Sequence, residues 1–323
     1  MDPQRRAGLL NVKLAALAGV EAPAEPADFG AGAALLHEGR AWVLLEPCDG
    51  SGLGAALAWA LRRGASALTV AAASGTGVLA RRAAEFAFPI DVCVVDGRRL
   101  VPARAEPLPL APSVDGGALE FVDTIRLAGA APVVEHGVLA GEVLCLEVCR
   151  VVVDPLHDGE WRLEVGIGAH DREVFQMLHG DRPTIEALAD VVESVAAHRL
   201  PGAGRHPFNL LAQERLLRAR LVAEPGLVGA SMVAAAPPPT PRPNVKDAVP
   251  CVALAEIGDR SVTVVCSVGV DLELVPFAVD ARAALGTADA MVVVPVRDAL
   301  DIQLRLAACA APPISVVGVD PVA

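Results

Sequence analysis

The spacing of apolar and polar positions changes several times along this chain. AWVLLEP (41–47) is a continuous apolar run of strand length, and SGLGAALAWALRRG after it carries apolar residues at helical spacing and stops at Gly64. ALTVAAA, GVLARRAAEFA and IDVCVVDG predict a second strand, a second helix and a third strand. Apolar strands alternating with short helices predict βαβ units, with right-handed crossovers that put helices on the faces of a parallel sheet. The same order returns later, with strands at 251–257 and 261–268, a helix at 274–285, a strand at 290–296, a helix at 298–310 and a strand at 314–318. No residue-level identity ties the two segments, and the repetition reads as an architectural echo.

The stretch from Gly141 to His198 follows a different pattern. Two apolar, β-branched runs meet at a polar turn, Asp154–Gly159, which predicts a β-hairpin. A helix at 117–129 precedes the hairpin, and a helical pattern beginning near His170 follows it. In LLAQERLLRARLVAE the leucines at 210, 211, 217 and 221 suit one buried face, leaving Arg215, Arg218 and Arg220 to a solvated one. Proline-rich stretches at 101–116 and 237–250 read as linkers. The expected organisation is a helical segment at 1–40, a βαβαβ domain at 41–100, a central α+β domain at 117–236 and an α/β domain at 251–323. The fold class is therefore α/β, with N-terminal and C-terminal βαβαβ parallel-sheet units flanking a central α+β domain that holds a β-hairpin and helices.

Composition narrows the function classes. With 53% apolar and 20% charged residues over 323 positions, the chain is of the globular class. The mean hydropathy of +0.46 raises the question of a membrane span. Every long apolar run is interrupted by charge, Gly or Pro well before the ~20 residues a spanning helix needs, so no membrane is expected. In the N-terminal stretch Asn11 and Lys13 interrupt what would be the apolar core of a signal peptide, and a cytoplasmic protein is expected. A net charge of −12 disfavours nucleic acid as a partner, because phosphate binding runs on clustered Lys and Arg. Lysine occurs only at positions 13 and 246. The seven cysteines form no C-x-x-C pair and read as reduced core thiols.

Two kinds of site stand out. Gly50, Gly52 and Gly54 lie in a turn between a strand and a helix, where a backbone without side chains can approach an anion at the helix N-terminus. Their spacing is G-x-G-x-G rather than G-x-G-x-x-G, and no carboxylate ends the second strand. The corresponding crossover of the later segment carries Ser267, Gly269, Asp271 and Glu273, for ligand contact or, for Asp271, a helix cap. The second kind comprises Glu142, Glu147 and Glu164 inside strand-like sequence. On one regular strand Glu142 and Glu147 point to opposite sides, and Glu147 shares a face with Cys145 and Cys149. Acids brought together from paired strands need a cation, a shared proton or an arginine. Mg²⁺ held by Glu147 and Glu164, with Glu142 in support, would answer that need; so would pairing with Arg150 and Arg162 on a solvent face. Asp171 reads as a first-turn acid of the following helix, and nothing gathers His170 and His179 into a three-ligand set.

Gly141-Glu142-Val143, followed by Leu163-Glu164-Val165 and preceded by the helix at 117–129, resembles the restriction-endonuclease-like PD-(D/E)XK nuclease superfamily over residues 117–199. The resemblance implies Mg²⁺-assisted phosphodiester hydrolysis, with Glu142, Glu147 and Glu164 catalytic and Glu147 and Glu164 as metal ligands. Two positions depart from the pattern: the family's metal-binding Asp falls on Leu144, where Glu147 would substitute, and its Lys falls on Gly166, for which Arg172 is the nearest stand-in. A degenerate relative is implied. The alternative is a non-enzymatic small-ligand, nucleotide-binding or assembly protein that uses the flanking α/β sheets. An acyl- or sugar-transfer enzyme finds no G-x-S-x-G elbow.

Overall fold

The computed structural model describes residues 3–21, 29–30, 32–154, 159–168, 170–174, 184–199, 206–241 and 249–320. It is an α/β fold with three sheets. The chain divides into two compact units that interleave along the sequence: residues 1–108 with 269–292 and 297–318, and residues 109–268 with 293–296 and 319–323.

The first unit begins with helix α1 (Pro3–Ala18) and strands β1 (Ala33–His37) and β2 (Arg40–Leu45). It continues through α2 (Leu53–Arg62), β3 (Ala67–Ala72), α3 (Thr76–Ala83), β4 (Ile90–Asp96) and β5 (Arg99–Pro102). β2, β3 and β4 pair in parallel as expected. The sheet is nevertheless mixed, because β1 and β5 add antiparallel edges. Both edges are made by two-residue turns, Glu38-Gly39 and Gly97-Arg98, in which the glycines take φ of 78° and 58°. Glycine reaches that region without a Cβ clash. One face of the sheet buries Leu10, Leu14 and Ala15 of α1 against Leu35, Leu44 and Ala71.

Helices α8 (Leu274–Leu285) and α9 (Asp301–Ala308) belong to this same unit and pack with α2 and α3. Their contacts are reciprocal. Phe86 and Ala310 form a bridge, with Ala87 N–H donating to the Cys309 carbonyl and Ala311 N–H to the Glu85 carbonyl, each at 2.8 Å. Arg81 of α3 reaches Asp280 of α8, while Arg305 of α9 reaches the Leu61 carbonyl at the end of α2. Gly64 and Gly286, at φ of 68° and 65°, end α2 and α8 in the same way. Pro89-Ile90 leads into β4 as Pro313-Ile314 leads into β14 (Ser315–Val319). The echo thus carries like residues at two points, one helix stop and one strand approach.

In the second unit the predicted helix at 117–129 is two short helices, α4 (Gly116–Leu119) and α5 (Val122–Leu127). The predicted hairpin is a four-stranded antiparallel sheet of β6 (Ala131–Glu135), β7 (Val138–Val143), β8 (Leu146–Val153) and β9 (Trp161–Val165). Its helix-covered face packs Leu139, Val143, Leu146, Val148 and Leu163 against Ile125 of α5 and Leu188 and Val195 of α6 (Thr184–His198). Helix α7 (Gln213–Ala223) lies against β10 (Met232–Ala236), β11 (Cys251–Ile257) and β12 (Arg260–Cys266). With β13 spanning Asp289–Pro295, the third sheet of the chain has the order β10-β11-β12-β13-β14. Its first three strands are antiparallel, so this sheet is not purely parallel either. Of the helical pattern near His170, residues 170–174 form a helical turn and the remainder to 181, His179 included, lies outside the described residues.

Gly54, one residue inside α2, would place a Cβ only 1.8 Å from the Leu272 carbonyl oxygen, an atom of the backbone. Gly54→Ala is therefore expected to cost about 3 kcal/mol of unfolding free energy in urea titration. Ala substitution at Gly64, which has nothing within 4 Å, should cost less, the strain of its positive φ alone.

Candidate functional site

The three glutamates named by the sequence lie on the other face of the antiparallel sheet in the second unit. Glu142 and Glu147 are not on one strand. Leu144 and Cys145 both adopt left-handed backbone (φ 46° and 64°), so the chain reverses between them and Glu142 becomes the direct cross-strand partner of Glu147. The register then shifts between Gly141 and Glu142, pairing Gly141 with Cys149 and leaving Val148 as the extra residue of β8. Val148 and Cys149 both enter the core, and Glu147 and Arg150, three apart, emerge on the same face. The expected common face of Glu147 and Cys149 is thus corrected by a bulge, and the opposed pair Glu142/Glu147 by a turn.

Gathered there, the carboxylates take arginines as their cations. Glu147, 4% exposed, accepts from Arg150 Nε and Nη2 at 2.9 and 2.8 Å, and from Arg172 Nη1 at 3.0 Å. Arg172 also reaches Glu164 at 3.4 Å, and Arg162 reaches the other Glu164 oxygen at 2.5 Å. Glu142 pairs with Arg215, whose Nη2 donates to Glu135 at 2.5 Å. Arg215 and Arg218, expected on a solvated face, are each 5% exposed. Burial opposes the charge on Arg215 and on Arg150, but the adjacent carboxylates outweigh it and both pKa values rise. A cavity of about 100 Å³ is bordered by Glu135, Glu142, Glu147, Arg150 and Arg215.

This donor set does not fit Mg²⁺. All four oxygens of Glu147 and Glu164 already accept from guanidinium groups. A dication placed about 4 Å from either arginine would be repelled by roughly 8 kcal/mol at an effective dielectric near 20. Among the described residues no group of three or more His, Cys, Asp or Glu is placed to hold a metal ion. Gly166, at the family's Lys position, has φ 138°, and a Cβ there would meet the Arg172 backbone nitrogen at 2.9 Å. That glycine lets the chain fold back and deliver Arg172 to Glu147. Asp171 accepts from Ile167 N–H at 2.7 Å, a local turn bond.

The glycine turn of the first unit has its own carboxylate. Gly52, at φ 105°, caps α2 without a side chain, and the free N–H groups of Gly54 and Ala55 donate to Glu273 Oε1 at 2.8 and 3.3 Å. The anion position at this helix N-terminus is therefore filled by a residue more than two hundred positions away in sequence. Arg82 donates to the Gly50 carbonyl at 3.3 Å, approaches Glu273 at 3.8 Å, and with Arg81 holds Asp280, which is 2% exposed. Burial raises the pKa of Glu273, against the pull of Arg82 and the N–H groups. Asp271 accepts from Glu273 N–H at 2.8 Å, a backbone cap. Ser267 is 4% exposed, and its N–H donates to the Val293 carbonyl.

Sequence reasoning missed Glu135 and Asp280, and named Glu273 in its crossover without its partners, because nothing local marks a carboxylate whose partner arrives from another element. A signal for Glu135 was available: His136-Gly137 after an apolar run is a hairpin turn. No protein-family model, curated protein or solved structure matches this chain. No helix among the described residues is long and apolar enough to cross a membrane.

Arg215→Met should cost about 3–5 kcal/mol in denaturant titration by leaving buried carboxylates uncompensated. Adding Glu142→Gln and Glu135→Gln should recover most of the loss, and failure to recover would refute pairing as the arginine's role. Glu273 binds its proton more tightly folded than unfolded, so its contribution to stability falls as pH rises through the folded pKa. Glu273→Gln is therefore expected to gain on wild type from acid to neutral pH, measured as the difference in Tm between the two.

Proposed function

We propose that the chain is a non-enzymatic binding protein whose first unit takes a small amphipathic molecule, a flat apolar body bearing one hydrogen-bond-accepting group. The observation that carries this reading is a cleft of about 570 Å³ on the first unit's sheet, lined by Trp42, Cys93, Leu100 and Pro102. Ligand sites fall in the range of roughly 300–1,000 Å³, mostly apolar with a few placed polar groups. Trp42, Thr69 and Asp91 are register partners across β2, β3 and β4, so their side chains share one face. α1 covers part of that face, packing on Leu44 and Ala71. The polar end of the cleft is Arg40, whose Nη1 is held by Thr69 Oγ1 at 3.0 Å and Asp91 at 2.6 Å. That fixes the guanidinium at the rim, where a ligand acceptor would meet it, while Trp42 offers an aromatic surface to the body.

Hydrolysis is left with the sequence resemblance alone, since the arginine lattice supplies the carboxylates' counter-charge. Binding needs no metal and no nucleophile, only the cleft. Titration with 8-anilinonaphthalene-1-sulfonate, which joins an aromatic body to an acceptor group, tests it directly. Saturable one-site binding is expected, abolished by Trp42→Ala and weakened about tenfold by Arg40→Gln, in line with one hydrogen bond to a charged group. Binding that does not saturate, or that both variants retain at wild-type strength, refutes the cleft as the site.

A further inference from the structure

Cys251 opens β11 and Cys266 closes β12, and the antiparallel register sets them directly opposite each other. Partners in such a ladder have Cα atoms about 4.5 or 5.5 Å apart, depending on the pair type. Both values lie within the span of about 4.4–6.8 Å that a disulfide bridges. The two thiols are buried and share a hydrogen bond. Cys251 Sγ also donates to the Glu214 carbonyl at 3.0 Å, in the first turn of α7. Burial pushes the Cys251 thiol up, but the bond from Cys266 and the guanidinium groups of Arg218 and Arg215 together pull it below the ordinary range. The bond to Cys251, followed by burial, raises Cys266. Cys251 is thus the thiol that attacks.

We propose that Cys251 and Cys266 are a reversible redox pair whose closure to a disulfide alters the docking of α7. The oxidant is a low-molecular-weight disulfide such as glutathione disulfide. The Cys251 thiolate attacks one of its sulfurs and expels a glutathione thiolate. Cys266 then loses its proton to water, attacks the Cys251 sulfur and expels the second glutathione. Two protein thiols are oxidised by two electrons, and one glutathione disulfide is reduced to two thiols. The pair is the terminal rung of the β11–β12 ladder, and local opening at that end is the oxidant's way in. A disulfide has no S–H, so the bond from Cys251 to the Glu214 carbonyl is lost. Arg215, the next residue, carries Glu135 and Glu142, and the redox state of the pair thereby reaches the carboxylate face.

The test incubates the full chain with glutathione disulfide and maps tryptic peptides without reduction. Cleavage at Arg260 separates the two cysteines, so closure appears as two peptides joined through Cys251 and Cys266 and released by reductant. Amide hydrogen exchange over 213–223 should then rise roughly tenfold, a change in the free energy of local opening. Cys251→Ala, or Cys266→Ala should the first fail to fold, should show neither the bridge nor the exchange change. A map in which Cys93 or Cys309 carries glutathione while Cys251 and Cys266 stay reduced overturns the proposal. A bridge that leaves exchange over α7 unchanged overturns the switch. The outcome is independent of the cleft in the first unit, because neither readout involves it.

Discussion

A carboxylate taken out of water must be neutralised where it lies, and in both units of this protein the neutralising group is a guanidinium that serves more than one partner. Arg172 bridges Glu147 and Glu164, Arg215 bridges Glu135 and Glu142, and Arg82 joins Asp280 to the Gly50 carbonyl. A planar fork with five donors can hold two acceptors in fixed directions, which an ammonium group does less well. The chain has two lysines, and no Lys pairs with these acids among the described residues. Arg199 spreads its fork over backbone carbonyls instead. It is 1% exposed, and its fork donates to the carbonyls of Leu144, Phe208, Leu211 and Ala212. Burial pulls its pKa down, against the pull of Cys145 and Glu142.

This constraint decides between chemistries. Acids converging on a sheet face are the raw material of a metal site, and the convergence occurs at Glu142, Glu147 and Glu164. The cation that meets them is built into the chain. Once Arg150 and Arg172 have taken the oxygens of Glu147, a dication finds positive neighbours instead of free lone pairs. The glycine turn behaves similarly: it exposes helix N–H groups as an anion site would, and Glu273 occupies them. Two arrangements that could have served external ions are closed by internal ones.

Much of the architecture was legible locally. The apolar runs at 41–47, 67–73 and 90–96, and the helices between them, follow from periodicity because each element buries a face and the spacing must match the backbone. Glycine stops at 64 and 286 follow from φ alone. Where the reading fell short, the cause was also specific. Glu38-Gly39, Gly97-Arg98 and His136-Gly137 are turns that add edge strands to two sheets, and their glycines were visible. Leu144-Cys145 was not visible, because neither residue favours the left-handed backbone it adopts.

By itself the sequence determined the strands and helices of the two alternating runs, that the chain is an α/β protein, and that its strand–helix order recurs. These rest on interactions within a few residues, while the edge strands β1, β5, β6 and β10 came only with the structure. Only the tertiary structure decided which acid faces which. The turn at Leu144 and the bulge at Val148 set the faces of Glu142, Glu147 and Arg150, and a slip of one residue would have sent each to the other side. It alone brought Glu273 to Gly54, Asp280 to Arg81 and Arg82, and Arg215 to Glu142, because a charge's partner is chosen by proximity in space. That proximity exists only after the sheets have closed.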